Sequence, residues 1–392
     1  MVRYVDEIEV KGKRVFIRAD YNVPLDNGQI SDDTRIRSTL PTIRSVLDRG
    51  GSVILASHLG RPKGKVDKNY SLAPVAERLS ELLGKKVVFV EDCIGKAVEE
   101  KAQQLKPGDM MLLENLRFHP EEEKNDEGFA KKLAGLADVY INDAFAVSHR
   151  AHASVEAITR FTPQKGAGFL IKDEMTYFNR AMVEPKRPLV AIIGGAKVSG
   201  KLEVLENLIQ KVDTLLIGGG MAFTFLKAQG IEIGKSLVED DLLDTARTVM
   251  KKAEEKGATV ILPVDCVVAS KVDAKADYKT TSIEDIPADW MGLDIGEETL
   301  KLFEEAIKNA GTIVWNGPMG VFEIKPFSKG TYKVVDLVAD SSALSIVGGG
   351  DTDVALHRSG KSDKISFMST AGGAFLELLK GGTLPALKAL EQ

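Results

Sequence analysis

Short apolar runs recur through this chain, and each halts at a polar or glycine-rich break. RVFIRA (14–19), SVILAS (52–57), KVVFV (86–90), MMLLEN (110–115) and DVYINDAFAV (138–147) are the runs of the first half. LVAII (189–193), TLLI (214–217), ATVILPVD (258–265), TIVWN (312–316), LSIV (344–347) and ISFM (365–368) follow in the second. Runs this short, separated by amphipathic stretches such as SLAPVAERLSELLG, read as buried strands alternating with helices. That alternation predicts an α/β fold, a parallel sheet covered by helices. At 392 residues the chain exceeds one ordinary core, so two domains are expected. The helical segment 172–184 has no strand after it and ends at a break bracketed by Pro185 and Pro188, which marks a linker.

The breaks differ between the halves. In the first, strands end at Asp20 and Asn22, at His58 and Arg61, at Arg117, and at His149 and Arg150, and Arg35 opens a helical segment. Ligands of open α/β sheets bind beyond the carboxyl ends of the strands. Arginines converging there repel one another unless an anion lies among them. In the second half the strands end in glycines: Gly194-Gly195, Gly218 to Gly220, Gly317 and Gly320, Gly348 to Gly350, Gly372-Gly373. Glycine lets a large ligand lie against the backbone, and a nucleotide is the natural one. Asp351 follows three glycines at a helix start, a place suited to a phosphate-bound magnesium. LVAIIGGAKVSGKL nearly matches a phosphate-binding loop, with Gly195, Gly200 and Lys201 in place but Leu202 where a hydroxyl is required. A helix directly after its glycines would set Lys197 and Lys201 one turn apart, both reaching one anion. A basic pocket and a glycine-lined shelf facing across a cleft predict phosphoryl transfer between their ligands.

Composition narrows the alternatives. A net charge of −5 argues against a general nucleic-acid binder. No apolar run approaches ~20 residues, so no membrane span is expected. The opening MVRYVDEIEVKGKR lacks the apolar core of a secretory signal. Cys93 and Cys266 lie far apart, neither in a Cys-x-x-Cys nor in a Cys/His cluster, so no zinc site is expected. Two reduced thiols of a cytoplasmic protein are the plain reading.

RADYNVP, DDTRIR, SHLGRPKG, LLENLRFHPEE, NDAFAVSHRAHAS, GGAKVSGK, GGGMAFTFLK, WMGLDIG, VWNGPMGVFE, GGGDT and STAGGA closely resemble the phosphoglycerate kinase family, in its order and over nearly the whole chain. The resemblance implies two Rossmann-like three-layer domains with parallel sheets, joined by a linker helix across a cleft. Residues 1–171 would bind 3-phosphoglycerate, with the tail 380–392 returning to them; 172–187 would form the hinge, and 188–379 would bind the nucleotide. The implied reaction is reversible, in-line phosphoryl transfer from 1,3-bisphosphoglycerate to MgADP, giving 3-phosphoglycerate and MgATP, with domain closure and no side-chain base. The resemblance assigns the glycerate to Asp20, Asn22, Arg35, His58, Arg61, Arg117 and Arg150. It assigns the nucleotide to Gly195, Ala196, Lys201, Gly219, Gly220, Gly292, Leu293, Asn316, Pro318, Val321, Glu323, Gly349, Gly350, Asp351 and Thr352, with Asp351 holding Mg²⁺. Arg35, Lys197, Gly372 and Gly373 would meet the transferring group. A monomer with small-molecule partners only is expected.

The sequence departs from the family pattern at Ala371, where a glycine is usual, at Phe375, where a small polar residue is common, and at Ser199-Gly200. Gly200 is expected to weaken a helix start by about 1 kcal/mol relative to Ala. The rival functions are another ATP-dependent enzyme that forms an acyl phosphate, and a non-catalytic nucleotide-binding scaffold. The first would need a further acceptor substrate. The second would be expected to have lost Arg35, Lys197 or Asp351, and all three are present.

Overall fold

The structure, a computed structural model, describes residues 2–391. Met1 and Gln392, the outer bounds of the expected first domain and tail, lie outside the described residues. The chain divides into two compact units: Met1–Met175 with Thr383–Gln392, and Thr176–Gly382. The division falls inside the helix Phe169–Met182.

The first unit is built on a six-stranded parallel sheet in the order Val88–Val90, Met110–Leu113, Ser52–Ala56, Arg14–Arg18, Val139–Asn142, Gln164–Ala167. Its central strands are almost wholly buried, the reason they read as continuous apolar runs. The helix Thr34–Asp48 covers it with Ile36, Leu40, Ile43 and Val46, one face at helical spacing. Ala73–Leu83 does the same with Val75, Ala76 and Leu79, and ends at Gly84 with φ 62°. The sixth strand, Gln164–Ala167, has no sequence signal: QKGA is short and polar. A Cβ on Gly166 would lie 2.5 Å from the Arg3 carbonyl oxygen and from Ile8 Cδ1, so the amino-terminal segment dictates glycine there. The short tail helix Pro385–Lys388 belongs to this unit; Ala386 donates to the Ser148 carbonyl at 3.2 Å and is buried with Ala144, Val147 and Val155.

The parallel sheet of the second unit runs Thr259–Ile261, Thr214–Ile217, Leu189–Ile193, Thr312–Asn316, Leu344–Val347, Phe367–Met368. In chain order this is 3-2-1-4-5-6, the doubly wound order, which reverses between Leu189–Ile193 and Thr312–Asn316. Two sequence readings are corrected here. ATVILPVD is not one strand: Thr259–Ile261 stays in the parallel sheet, and after Pro263 the strand Asp265–Ala269 joins an antiparallel sheet with Tyr278–Ser282 and Met291–Ile295. Proline has no N–H for the ladder, which separates the two. WMGLDIG supplies that third strand, with Gly292 packed closely against the Phe223 ring. The helix after Leu189–Ile193 starts only at Leu202. No described helix is long and apolar enough to cross a membrane.

Candidate functional site

Two groups of residues stand at the carboxyl ends of the two parallel sheets, one in each unit. In the first unit, Asp20 follows Arg14–Arg18 and is ion-paired with Arg35 from the first turn of Thr34–Asp48. Its Oδ1 lies 3.8 Å from His58 Nδ1. Burial, then Arg18, Arg117 and Arg35, hold His58 well below the usual imidazole range, so the ring is neutral. Asn22 Oδ1 accepts the Gly60 N–H at 2.8 Å, and Arg117 Nη1 donates to the Gly60 carbonyl at 2.9 Å. The turn after Ser52–Ala56 is therefore held from both sides. Arg150 donates to His149 Nε2 at 3.2 Å, and Arg61 is exposed beside Gly60. Burial lowers Arg117; Glu123 opposes this, while Arg18 and Arg150 add to it. Cations crowd together here, and an anion among them relieves the repulsion.

Sequence reasoning missed the layer behind them. Arg18 is fully buried; its Nε donates to Ser154 Oγ at 2.8 Å and its Nη2 lies 4.0 Å from Glu122 Oε1. His152 is buried and pushed down to about 3 by burial and by Arg117, Arg18 and Arg150. A charge inside an otherwise apolar strand was the available signal for Arg18.

The second unit holds a cavity of about 470 Å³ where the strand order reverses. Gly195, Ala196, Gly219, Gly220, Gly292, Leu293, Pro318, Gly320, Val321, Glu323 and Asp351 line it, as do Lys235, Leu237, Val272 and Met291, which the sequence did not single out. Its floor is three interlocked loops. Gly195 N–H donates to the Pro318 carbonyl at 3.0 Å, Gly219 N–H to Met319 at 2.9 Å, and Met221 N–H to Gly195 at 3.0 Å. Gly219 has φ +70°, and a Cβ there would meet the Gly195 carbonyl oxygen at 2.6 Å and the Pro318 oxygen at 2.9 Å. At this position the neighbouring backbone, not ligand space, demands glycine.

At one end of the cavity two helices begin without a side-chain cap, Gly350–Ser359 and Gly372–Leu379. They abut: a Cβ on Gly372 would lie 3.4 Å from Gly349 Cα and 3.6 Å from Gly350 N. Both starts offer free N–H groups and partial positive charge, the chemistry that binds phosphate. Lys201 caps the nearby Leu202–Ile209 helix and is pushed down to about 8 by desolvation, with Asp351 opposing. Asp351 is exposed in the first turn of Gly350–Ser359 and lines the cavity. One carboxylate beside a phosphate-binding turn fits magnesium, which takes one or two carboxylates and fills its shell with water and phosphate oxygens.

Other expected residues stand differently. Thr352 and Asn316 are buried and fasten loops: Thr352 Oγ1 accepts the Gly317 N–H at 2.8 Å, and Asn316 Nδ2 donates to the Gly348 carbonyl at 2.6 Å. Lys197 is exposed in the loop before Leu202, so Lys197 and Lys201 are not one turn apart on a helix. Ser199 N–H donates to Glu239 Oε2 at 3.0 Å, holding that loop. Gly200 also precedes the helix, so the expected penalty does not apply; a Cβ there would approach only the Lys197 carbonyl oxygen, at 3.9 Å. Ala371 caps Gly372–Leu379 with φ −143°, which needs no glycine. Phe375 fills the space over Gly348 and stands edge-on to Phe178 with ring centres 6.5 Å apart. The fold brings Asp92, Cys93 and His119 together from segments apart in sequence.

Known proteins resemble this chain over its whole length. The family model described as phosphoglycerate kinase matches residues 5–382. The phosphoglycerate kinase of Geobacter metallireducens is 62% identical over 100% of this chain and 99% of its own. That of Geotalea uraniireducens is 62% identical over 100% and 98%. Among solved structures, phosphoglycerate kinase from Coxiella burnetii superposes with a TM-score of 0.93 at 44% identity, covering 100% of this chain and 99% of that one. The enzyme from Pyrococcus horikoshii gives 0.83 at 34% identity, with 100% and 98% covered.

Proposed function

The chain belongs to the phosphoglycerate kinase family, and we propose that its reaction, reversible phosphoryl transfer between 1,3-bisphosphoglycerate and ADP, is carried out by the residues just described. The observation that carries the assignment is the pairing of chemistries. Crowded guanidinium groups around a neutral histidine end one sheet, and two uncapped helix starts beside Asp351 end the other. The first suits the glycerate, held by Asp20, Asn22, His58, Arg61, Arg117 and Arg150. The second suits the nucleotide: its base and ribose in the cavity, its phosphates at Gly349 to Asp351 and Lys201. Asn316 and Thr352 act by fixing the loops that shape this end.

Magnesium, held by Asp351, would screen the nucleotide phosphates and orient them. The acceptor oxygen belongs to a carboxylate or a phosphate and is already ionised at pH 7, so no side chain has to remove a proton. The remaining task is to stabilise charge on the group in flight. Arg35, Lys197 and the N–H groups of Gly372 and Gly373 are assigned to it, and domain closure to bringing donor and acceptor into line. We place the enzyme in the cytoplasm as a monomer, where its two free thiols, Cys93 and Cys266, stay reduced. The purified chain, given 3-phosphoglycerate and MgATP with a coupling enzyme that consumes 1,3-bisphosphoglycerate, should turn over without any further acceptor. No turnover until an amine or thiol is added would favour a different acyl-phosphate chemistry. Nucleotide binding with no turnover under any condition would leave a scaffold.

A further inference from the structure

We propose that Asp92, Cys93 and His119 form a second cation site, in the first unit, for a borderline divalent metal of the zinc class. A carboxylate oxygen, a sulfur and an imidazole nitrogen, one from each residue, lie within 4.8 Å of one another. Among the described residues no other group of three such side chains comes so close. The donors come from two segments held by the sheet and its turns. Asp92 and Cys93 follow the edge strand Val88–Val90, whose last carbonyl accepts the Glu114 N–H at 2.9 Å. His119 closes the Leu116–Phe118 turn through a bond from its N–H to the Leu116 carbonyl at 3.2 Å, and its own carbonyl accepts the Glu122 N–H at 3.2 Å.

The side chains are already turned toward one another. Asp92 Oδ1 accepts the Cys93 N–H at 2.7 Å and lies 2.7 Å from His119 Nε2. The His119 ring rests against Phe129, with centres 5.3 Å apart, which limits its rotation. Cys93 is buried, His119 half-buried and Asp92 exposed, so the sulfur forms the floor and the carboxylate the mouth. A thiolate, an imidazole and a carboxylate suit zinc and its neighbours, not magnesium or calcium, which prefer oxygen alone. Three protein ligands leave a fourth position for water. To reach the edge lengths of a zinc tetrahedron, given metal–ligand bonds of about 2.0–2.3 Å, the Asp92–His119 pair would widen from 2.7 Å by about 0.6 Å and the sulfur would come to within about 3.6 Å of both. Binding would release the thiol proton to solvent and replace the His119–Asp92 hydrogen bond by metal–ligand bonds, the ring proton moving from Nε2 to Nδ1.

Cobalt(II) titration of the intact chain, without nucleotide, tests the site, because a thiolate–cobalt charge-transfer band reports sulfur ligation and Asp351 offers only oxygen. The band should saturate at one equivalent, yield to zinc, vanish in Cys93→Ser and persist in Cys266→Ser. Asp92→Asn and His119→Gln should weaken cobalt binding by more than about 10-fold. They keep the sulfur and leave the buried position untouched, so they decide the matter if Cys93→Ser fails to fold. No band at saturating cobalt would overturn the proposal. So would a band that survives Cys93→Ser, or native affinity in both Asp92→Asn and His119→Gln.

Discussion

Lys201 is a lysine whose charge is set by its surroundings. Desolvation holds it at about 8, against 10.5 for an exposed lysine, with Asp351 opposing. A phosphate partner favours the charged form, and that form is lost as pH rises through about 8. Affinity for MgADP should therefore fall between pH 7 and 9, and Lys201→Arg, which stays charged, should flatten the profile in calorimetric titrations. The cations assigned to the glycerate and to the moving phosphoryl group should separate kinetically. Arg35→Ala and Lys197→Ala remove contacts that strengthen only during transfer and should lower kcat by on the order of 10²–10³. Arg61→Ala, at the far end of the glycerate, should mainly raise KM. Steady-state rates at saturating substrates check this; near-normal kcat in Arg35→Ala would remove that residue from catalysis. At this scale the sequence is legible where chemistry is conspicuous: charged or polar groups after several strands of the first half, an acid after three glycines. Leu237, Val272 and Met291 line the cavity with ordinary apolar side chains and carry no such mark.

The parallel strands were readable because both their faces are buried, which turns each into an unbroken apolar run. Elements shaped by tertiary packing were not. Gln164–Ala167 is a strand because its neighbours pair with it, and Met291–Ile295 hides a glycine that a ring covers. The glycine-rich loops carry two different constraints under one letter. Gly219 is confined by the loops beside it and by its positive φ, whereas Gly200 faces open space. Gly219→Ala should cost about 2 kcal/mol or more, from backbone strain and displaced loops. Gly200→Ala should be neutral or stabilise by up to about 1 kcal/mol, by restricting the unfolded chain. Thermal melts of the two variants test the contrast, and equal losses would refute it.

The two sheets end in unlike chemistry although each is a parallel sheet wrapped by helices, so the fold supplies the position of a site and the loops supply its selectivity. The tail shows how far apart in sequence one unit's parts lie. Deleting residues 383–392 would uncover Ala144, Val147 and Val155 and free the Ser148 carbonyl, two residues before Arg150. The truncated chain should melt earlier, and its KM for 3-phosphoglycerate should rise more than that for MgATP; equal changes in both would show no local effect on the Arg150 turn. During synthesis the same arrangement imposes an order of events. About two hundred residues separate Met175 from Thr383, roughly 10–40 s of translation at ordinary elongation rates. Throughout that interval the nascent first unit exposes a small apolar dimple beside its future basic pocket. The segment that covers it leaves the ribosome only after the whole second unit has been made, so the first unit begins folding early and is completed late.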